Sequence, residues 1–273
     1  MNIAVRIGLG LLGLAAMPLW AQTPPAHRPP PKGVAIVPAR LPDGHPNWTG
    51  FWAPPGGMLD NYNGPSGFGN TTSNKVNVGQ PRHDIPQMKS PYRERYVEQY
   101  EPGHMPGDPT AECLPAGMPR MMHMIYGMEI LQTPKIIAIT SEWQAESRRV
   151  WMDMKTHPPA DELLATYDGN SIGHWEGDTL VVDTVGLRTD VPLDRSMIPH
   201  GPNTHLIERF HETSPGVLQD DITVIDPDVF VTPWKYSTVY TYRPKDRLEE
   251  YVCLENNRNI GPNGQAEFAP PKK

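Results

Sequence analysis

From Met128 onward the chain divides into short segments of alternating character separated by turn residues, and this spacing constrains its fold more than any other feature. Segments near 128–132, 135–142, 148–153, 170–175, 179–185, 204–212, 217–226, 234–242 and 248–255 are rich in Val, Ile, Thr, Tyr and Trp, the residues that pack well on a pleated surface. The clearest hairpin is Ser171-Ile-Gly-His-Trp-Glu-Gly-Asp-Thr-Leu-Val-Val-Asp-Thr-Val-Gly-Leu187. Its Gly177-Asp178 pair suits a two-residue turn, because Gly adopts the positive φ such turns require. With Gly50-Phe51-Trp52 as a first strand, the series predicts an all-β protein, its antiparallel sheet closed into an up-and-down barrel, with a sandwich as the alternative.

The flanks have a different character. A basic start at Arg6, an apolar run from Ile7 to Trp20 and the small residue Ala21 before Gln22-Thr-Pro-Pro read as a secretory signal peptide, residues 1–21. The run is too short for a good membrane span, and no cysteine follows it to carry a lipid anchor. A periplasmic or secreted location is therefore expected. Residues 22–40 form a Pro-rich linker, 41–257 a single barrel domain with an N-terminal wrapping arm, and 258–273 a flexible tail. Within the arm, the Gly/Asn/Pro-rich residues 54–90 are placed to wrap the barrel or cap a pocket. Ser90-Pro91 followed by Tyr92-Arg-Glu-Arg-Tyr-Val-Glu-Gln-Tyr100 predicts one short helix, with Ser90 as its cap.

Two cysteines, Cys113 and Cys253, suit a disulfide in an exported chain, with two buried free thiols as the alternative. Neither has a histidine or cationic neighbour in sequence to activate it. A net charge of -7 and a pI near 5.8 give no basic field for nucleic acid. No basic amphipathic helix points to a membrane surface. The expected partner is a small-molecule ligand or substrate.

Alternation assigns faces within the strands. His205, Ile207, Arg209 and His211 share one face of their segment, opposite Leu206, Glu208 and Phe210. Trp234, Tyr236, Thr238, Tyr240 and Tyr242 share another. In the hairpin, the Gly177-Asp178 turn sets His174 opposite Val181, with Asp183 on the same face and Trp175 pointing the other way.

Both Gly50-Phe51-Trp52 and Gly173-His174-Trp175 have the Gly-x-Trp form of the first strand of lipocalin-like (calycin) barrels. More of the chain carries a wider pattern: Pro42-Asp-Gly-His-Pro-Asn-Trp-Thr-Gly-Phe-Trp52, Cys113-Leu-Pro-Ala-Gly-Met-Pro-Arg-Met-Met122, Ser171 to Thr184, His205-Leu-Ile-Glu-Arg-Phe210, Asp226-Pro-Asp-Val-Phe-Val-Thr-Pro-Trp234 and Tyr251-Val-Cys-Leu-Glu-Asn256. In these motifs it resembles a large family of exported bacterial lipocalin-like β proteins. The resemblance implies a secreted β-barrel and carries no reaction with it.

Chemistry must come from the residues. His174, Asp183, His205 and Arg209 are the candidate catalytic set: imidazoles as acid and base, a carboxylate to orient them, and a cation to stabilise an anion. This set supports cofactor-free acid/base chemistry of the isomerase, cyclase or lyase type on a small apolar or aromatic molecule, if its face looks into the barrel. Trp52, Met121, Met122, Trp234, Tyr236, Tyr240 and Glu255 are the candidate ligand-binding residues, the methionines lying in the adaptable Met118–Met128 stretch. A metal-dependent enzyme is an alternative, drawing on His200, His205, His211, His174 and Glu176, although their spacing matches no metal motif and no metal or other cofactor is assigned. Another is a non-catalytic carrier, which would leave its histidines outside. A serine hydrolase is disfavoured, because Ser171 lacks a nucleophile elbow.

Overall fold

The computed structural model describes residues 40–54, 86–98, 108–194 and 197–256. Among these residues nine strands are formed: β1 (Gly50–Ala53), β2 (Met128–Gln132), β3 (Ile136–Ser141), β4 (Ser147–Trp151), β5 (Asn170–Glu176), β6 (Thr179–Val185), β7 (His205–Ser214), β8 (Val217–Ile225) and β9 (Trp234–Tyr242). They pair in chain order and close into a barrel where β9 meets β1. Every pair is antiparallel except β4 with β5, which run parallel. A parallel pair needs a long return path, and residues 152–169 supply it. The expected all-β barrel is thus the fold, with one parallel seam.

One expected strand is absent. The segment 248–255 makes only an isolated bridge, Tyr251 to Trp143, and then winds into the short helix α2 (Cys253–Asn256). β9 already pairs with β1, so the closed barrel leaves no edge for a tenth strand. The expected helix is present as α1 (Tyr92–Glu98), which begins just after Pro91, and the Lys89 and Pro91 carbonyls accept from the Arg93 and Arg95 amides. The signal peptide 1–21, the linker 22–40 up to residue 39, residues 55–85 of the arm and the tail 258–273 lie outside the described residues.

Hairpin β5–β6 has the register its sequence predicts. His174 faces Val181, Ile172 faces Asp183, and Glu176 pairs with Thr179 around the turn, where Gly177 has φ 62°. Odd residues of β5 therefore point inward and even ones outward. Trp175 goes in, stacking on His45 with ring centroids 4.7 Å apart and standing 5.2 Å from Trp48. Trp48 donates its indole N–H to Glu212 at 3.0 Å, and Trp52 donates to the Trp48 carbonyl at 2.8 Å. These rings close the barrel end beside the β5–β6 turn, where Arg40 pairs with Asp178.

Residues between β1 and β2 complete the core. Met118, Met121, Met122 and His123 are buried there, and the Tyr240 hydroxyl donates to the Met122 carbonyl at 2.6 Å. Burial alone pushes the His123 imidazole down to about 3, so it is neutral. A disulfide joins Cys113 of this segment to Cys253 of α2, as expected. It fits an oxidising compartment. No helix among the described residues is long and apolar enough to cross a membrane.

The same segment is tied to the β3–β4 turn by a carboxylate. Glu146 accepts from the amides of Ala116 at 2.9 Å and Gly117 at 2.7 Å. Burial and the neighbouring Asp168 carboxyl push Glu146 up to about 7, from an ordinary 4.5. Between those two values the folded chain holds a proton that the unfolded chain has lost, so stability falls as pH rises through the window. At roughly 1.4 kcal/mol per unit, the loss is at most about 3.5 kcal/mol. Asp168 and Asp220 are also raised and slope the same way. Urea unfolding of the wild type and Glu146→Gln at pH 5 and pH 8 isolates the Glu146 share: the variant should show a clearly flatter decline. Equal declines would mean that Glu146 does not titrate in this range.

Candidate functional site

Two polar clusters stand out, one inside the barrel and one on its wall. Inside, Arg148 of β4 donates from both terminal nitrogens to Glu208 of β7, at 2.7 and 2.5 Å. The same guanidinium reaches Ser171 at 3.2 Å and Thr184 at 3.1 Å, which bond to each other at 2.8 Å. Asp220 of β8 completes the group. Burial and the Glu208 carboxylate push its carboxyl well above the usual range, which favours its neutral form. The Arg148 and Glu208 side chains have 0% exposure, and Asp220 is equally inaccessible. A solute cannot reach this cluster, which therefore belongs to the packed core.

His174, Asp183, His205 and Arg209 share the side of the sheet that faces away from the barrel interior, so the expected inward-facing catalytic set is corrected: the apolar alternates Leu180, Val182, Leu206 and Phe210 take the inside, and any chemistry of these four belongs to the outer wall. The structure divides them into two groups. Asp183 Oδ1 on β6 forms a short contact with His205 Nε2 on the adjacent β7. His157, from the β4–β5 connection, brings its Nε2 to within 3.1 Å of the same oxygen, and its Nδ1 lies 2.8 Å from Asn170 Oδ1. The other group centres on Glu176, which accepts from Arg209 at 2.7 Å and lies 3.3 Å from His174 Nε2. His174 is 60% exposed.

Electrostatics follow from the contacts. The hydrogen bond to Asp183 raises the His205 pKa against the opposing effect of partial burial. Burial works to raise Asp183, but the two imidazoles outweigh it and hold the carboxyl below its usual value. The His157, Asp183 and His205 side chains are 17%, 29% and 38% exposed, so the group is half-open to solvent. One donor atom from each lies within 4.8 Å of the others, close enough to share a metal ion.

The histidines expected as alternative metal ligands are dispersed. Buried His200 is engaged with Thr204 and the Gly201, Arg188 and Val191 carbonyls, and His211 lies 3.7 Å from Asp221. Only His205 of that set joins the half-open centre. Among the expected ligand-binding residues, Trp52, Met121, Met122 and Tyr240 are core side chains. Trp234 is buried too and packs on half-buried Tyr236, with centroids 4.6 Å apart. Glu255 is exposed on α2.

Sequence reasoning missed His157 and Asn170. His157 stands in an irregular connection with no strand alternation to give its direction, whereas Asn170 opens β5 two residues before Ile172, the partner of Asp183. It also missed the interior triad, although a signal existed: Arg148, Glu208 and Asp220 each occupy one inward position of an otherwise apolar alternation. Neither a protein-family model nor a curated protein matches the chain.

Proposed function

We propose that the protein is an exported β-barrel that performs acid/base chemistry on a small, partly apolar or aromatic molecule at its outer wall, in the manner of an isomerase, cyclase or lyase. Asp183, His157 and His205 are the reacting centre. The observation that carries this reading is the convergence of two imidazole nitrogens on one carboxylate oxygen in a half-exposed site. Proton transfer uses groups held within hydrogen-bond reach of one another. Beside the centre lie the outward-facing, half-buried side chains of Ile172 and Ile207. They give an apolar floor for a substrate body, and His174 and Arg209 flank its far side across Val181.

Deuterium wash-in tests this whatever the product of the reaction. Small aromatic and aliphatic carbonyl compounds are first screened for binding, and each binder is then incubated with the protein in D2O and followed by NMR. A binder should gain deuterium at its acidic C–H, and His205→Ala should slow the exchange by about 10²-fold, the lower end of what a positioned base contributes. Exchange equally fast with His205→Ala would remove the centre from the chemistry. Binding without any exchange would make the protein a carrier.

A further inference from the structure

We infer that His157, Asp183 and His205 bind one divalent first-row transition metal ion of the zinc class. The inference rests on the reading of these residues as the functional centre, and it supplies what holds them together.

Asn170 Oδ1 is an acceptor only, so the 2.8 Å contact requires His157 Nδ1 to carry the hydrogen. A neutral imidazole then has its lone pair on Nε2, and this atom points at the Asp183 carboxylate oxygen 3.1 Å away. Lone pair faces lone pair, and a second imidazole nitrogen, His205 Nε2, is directed at the same oxygen. His205 can donate an Nε2–H to that oxygen, so the unmet contact is that of His157, which is repulsive unless positive charge lies between the two atoms. A metal ion meets that need without making His157 an imidazolium.

Donor chemistry and geometry agree. Two imidazole nitrogens and a carboxylate oxygen suit zinc and its neighbours. Bonds of roughly 2.0–2.1 Å in a tetrahedron place ligand atoms about 3.3 Å apart. The His157 to Asp183 separation of 3.1 Å is already near this value, and all three donors fall within 4.8 Å of one another. Asn170 supplies the outer hydrogen bond that orients a metal-binding imidazole. Three protein ligands in a half-open site leave the fourth position for water, the arrangement of a catalytic rather than a structural site. When bound, such an ion would supply a water of lowered pKa suited to serve as a base.

The test is titration of chelator-stripped, full-length mature protein with ZnCl2 by calorimetry, repeated with Co2+ to read the visible absorption of a tetrahedral nitrogen and oxygen site. The wild type should bind one equivalent, and His157→Ala, Asp183→Ala and His205→Ala should each weaken binding at least 10-fold. His211→Ala should bind like the wild type, and circular dichroism checks that each variant is folded. Asn170→Ala should weaken binding at least 10-fold as well while leaving all three ligands in place, which keeps the test informative if a ligand variant fails to fold. No stoichiometric binding by the wild type, or equal binding by the ligand variants, would overturn the inference. Deuterium exchange by metal-free protein would then leave the proposed function standing; metal binding without exchange would defeat that function and leave the metal site.

Discussion

Glu208→Ala should lower the unfolding free energy by about 3–5 kcal/mol, a large part of the 5–15 kcal/mol that holds a typical domain folded. The substitution leaves the Arg148 guanidinium charged, inside the barrel, without its hydrogen-bonded carboxylate and with the Ser171 and Thr184 hydroxyls as its remaining side-chain hydrogen-bond partners among the described residues. Water cannot replace the lost carboxylate, because the site is closed to solvent. Asp220→Asn provides a contrast. Burial and the Glu208 carboxylate raise the Asp220 carboxyl well above its usual range, and an uncharged amide of the same shape strands no charge, so this change should cost far less than Glu208→Ala. Urea denaturation read by tryptophan fluorescence measures both. If Glu208→Ala cost less than 1 kcal/mol, the interior pair would have to be hydrated or mobile. If Asp220→Asn were as damaging as Glu208→Ala, Asp220 would have to be ionised.

Strand alternation explains which parts of this architecture are legible in the sequence. The β5–β6 register, the shared face of His174 and Asp183, and the opposite direction of Trp175 all follow from a two-residue turn and a period of two. The same rule separates His205 and Arg209 from Glu208 on β7. Alternation does not say which face is inside when both are mixed. The face that carries His174, Asp183, His205 and Arg209 looks outward because its partners Leu180, Val182, Leu206 and Phe210 bury more apolar surface. Closure of the sheet is equally hidden: 248–255 has strand-like residues, but only the β1–β9 pairing shows that no edge is left for it. Cys113 and Cys253 are legible as a pair because two cysteines in an oxidising compartment leave one possible partner each. The reacting centre is half legible. Asp183 and His205 come from neighbouring strands, which periodicity can bring onto a common face, whereas His157 arrives by a connection whose path only the folded chain defines.

Loss of the disulfide should be the second large perturbation, at about 4–5 kcal/mol. Cys113 and Cys253 are 140 residues apart in sequence, and a loop of that order lies near the top of the range expected when a cross-link restricts the unfolded chain. The bond connects two segments outside the strand ladder: the buried methionine segment between β1 and β2, and α2 after the barrel has closed. Its neighbourhood is aromatic, since Tyr251 packs on Trp143 and Tyr126 with centroids 5.2 and 4.9 Å apart. A Cys113→Ser/Cys253→Ser double variant should therefore lose stability while keeping its β-sheet circular dichroism under native conditions, because no strand pairing depends on the bond. The near-ultraviolet signal of the Tyr126, Trp143 and Tyr251 cluster should weaken at denaturant concentrations below those that unfold the barrel. An unchanged urea midpoint would show that Glu146, with its two amide contacts to Ala116 and Gly117, and the buried methionines hold the segment without the cross-link. Loss of sheet signal in native buffer would show instead that barrel closure itself depends on it.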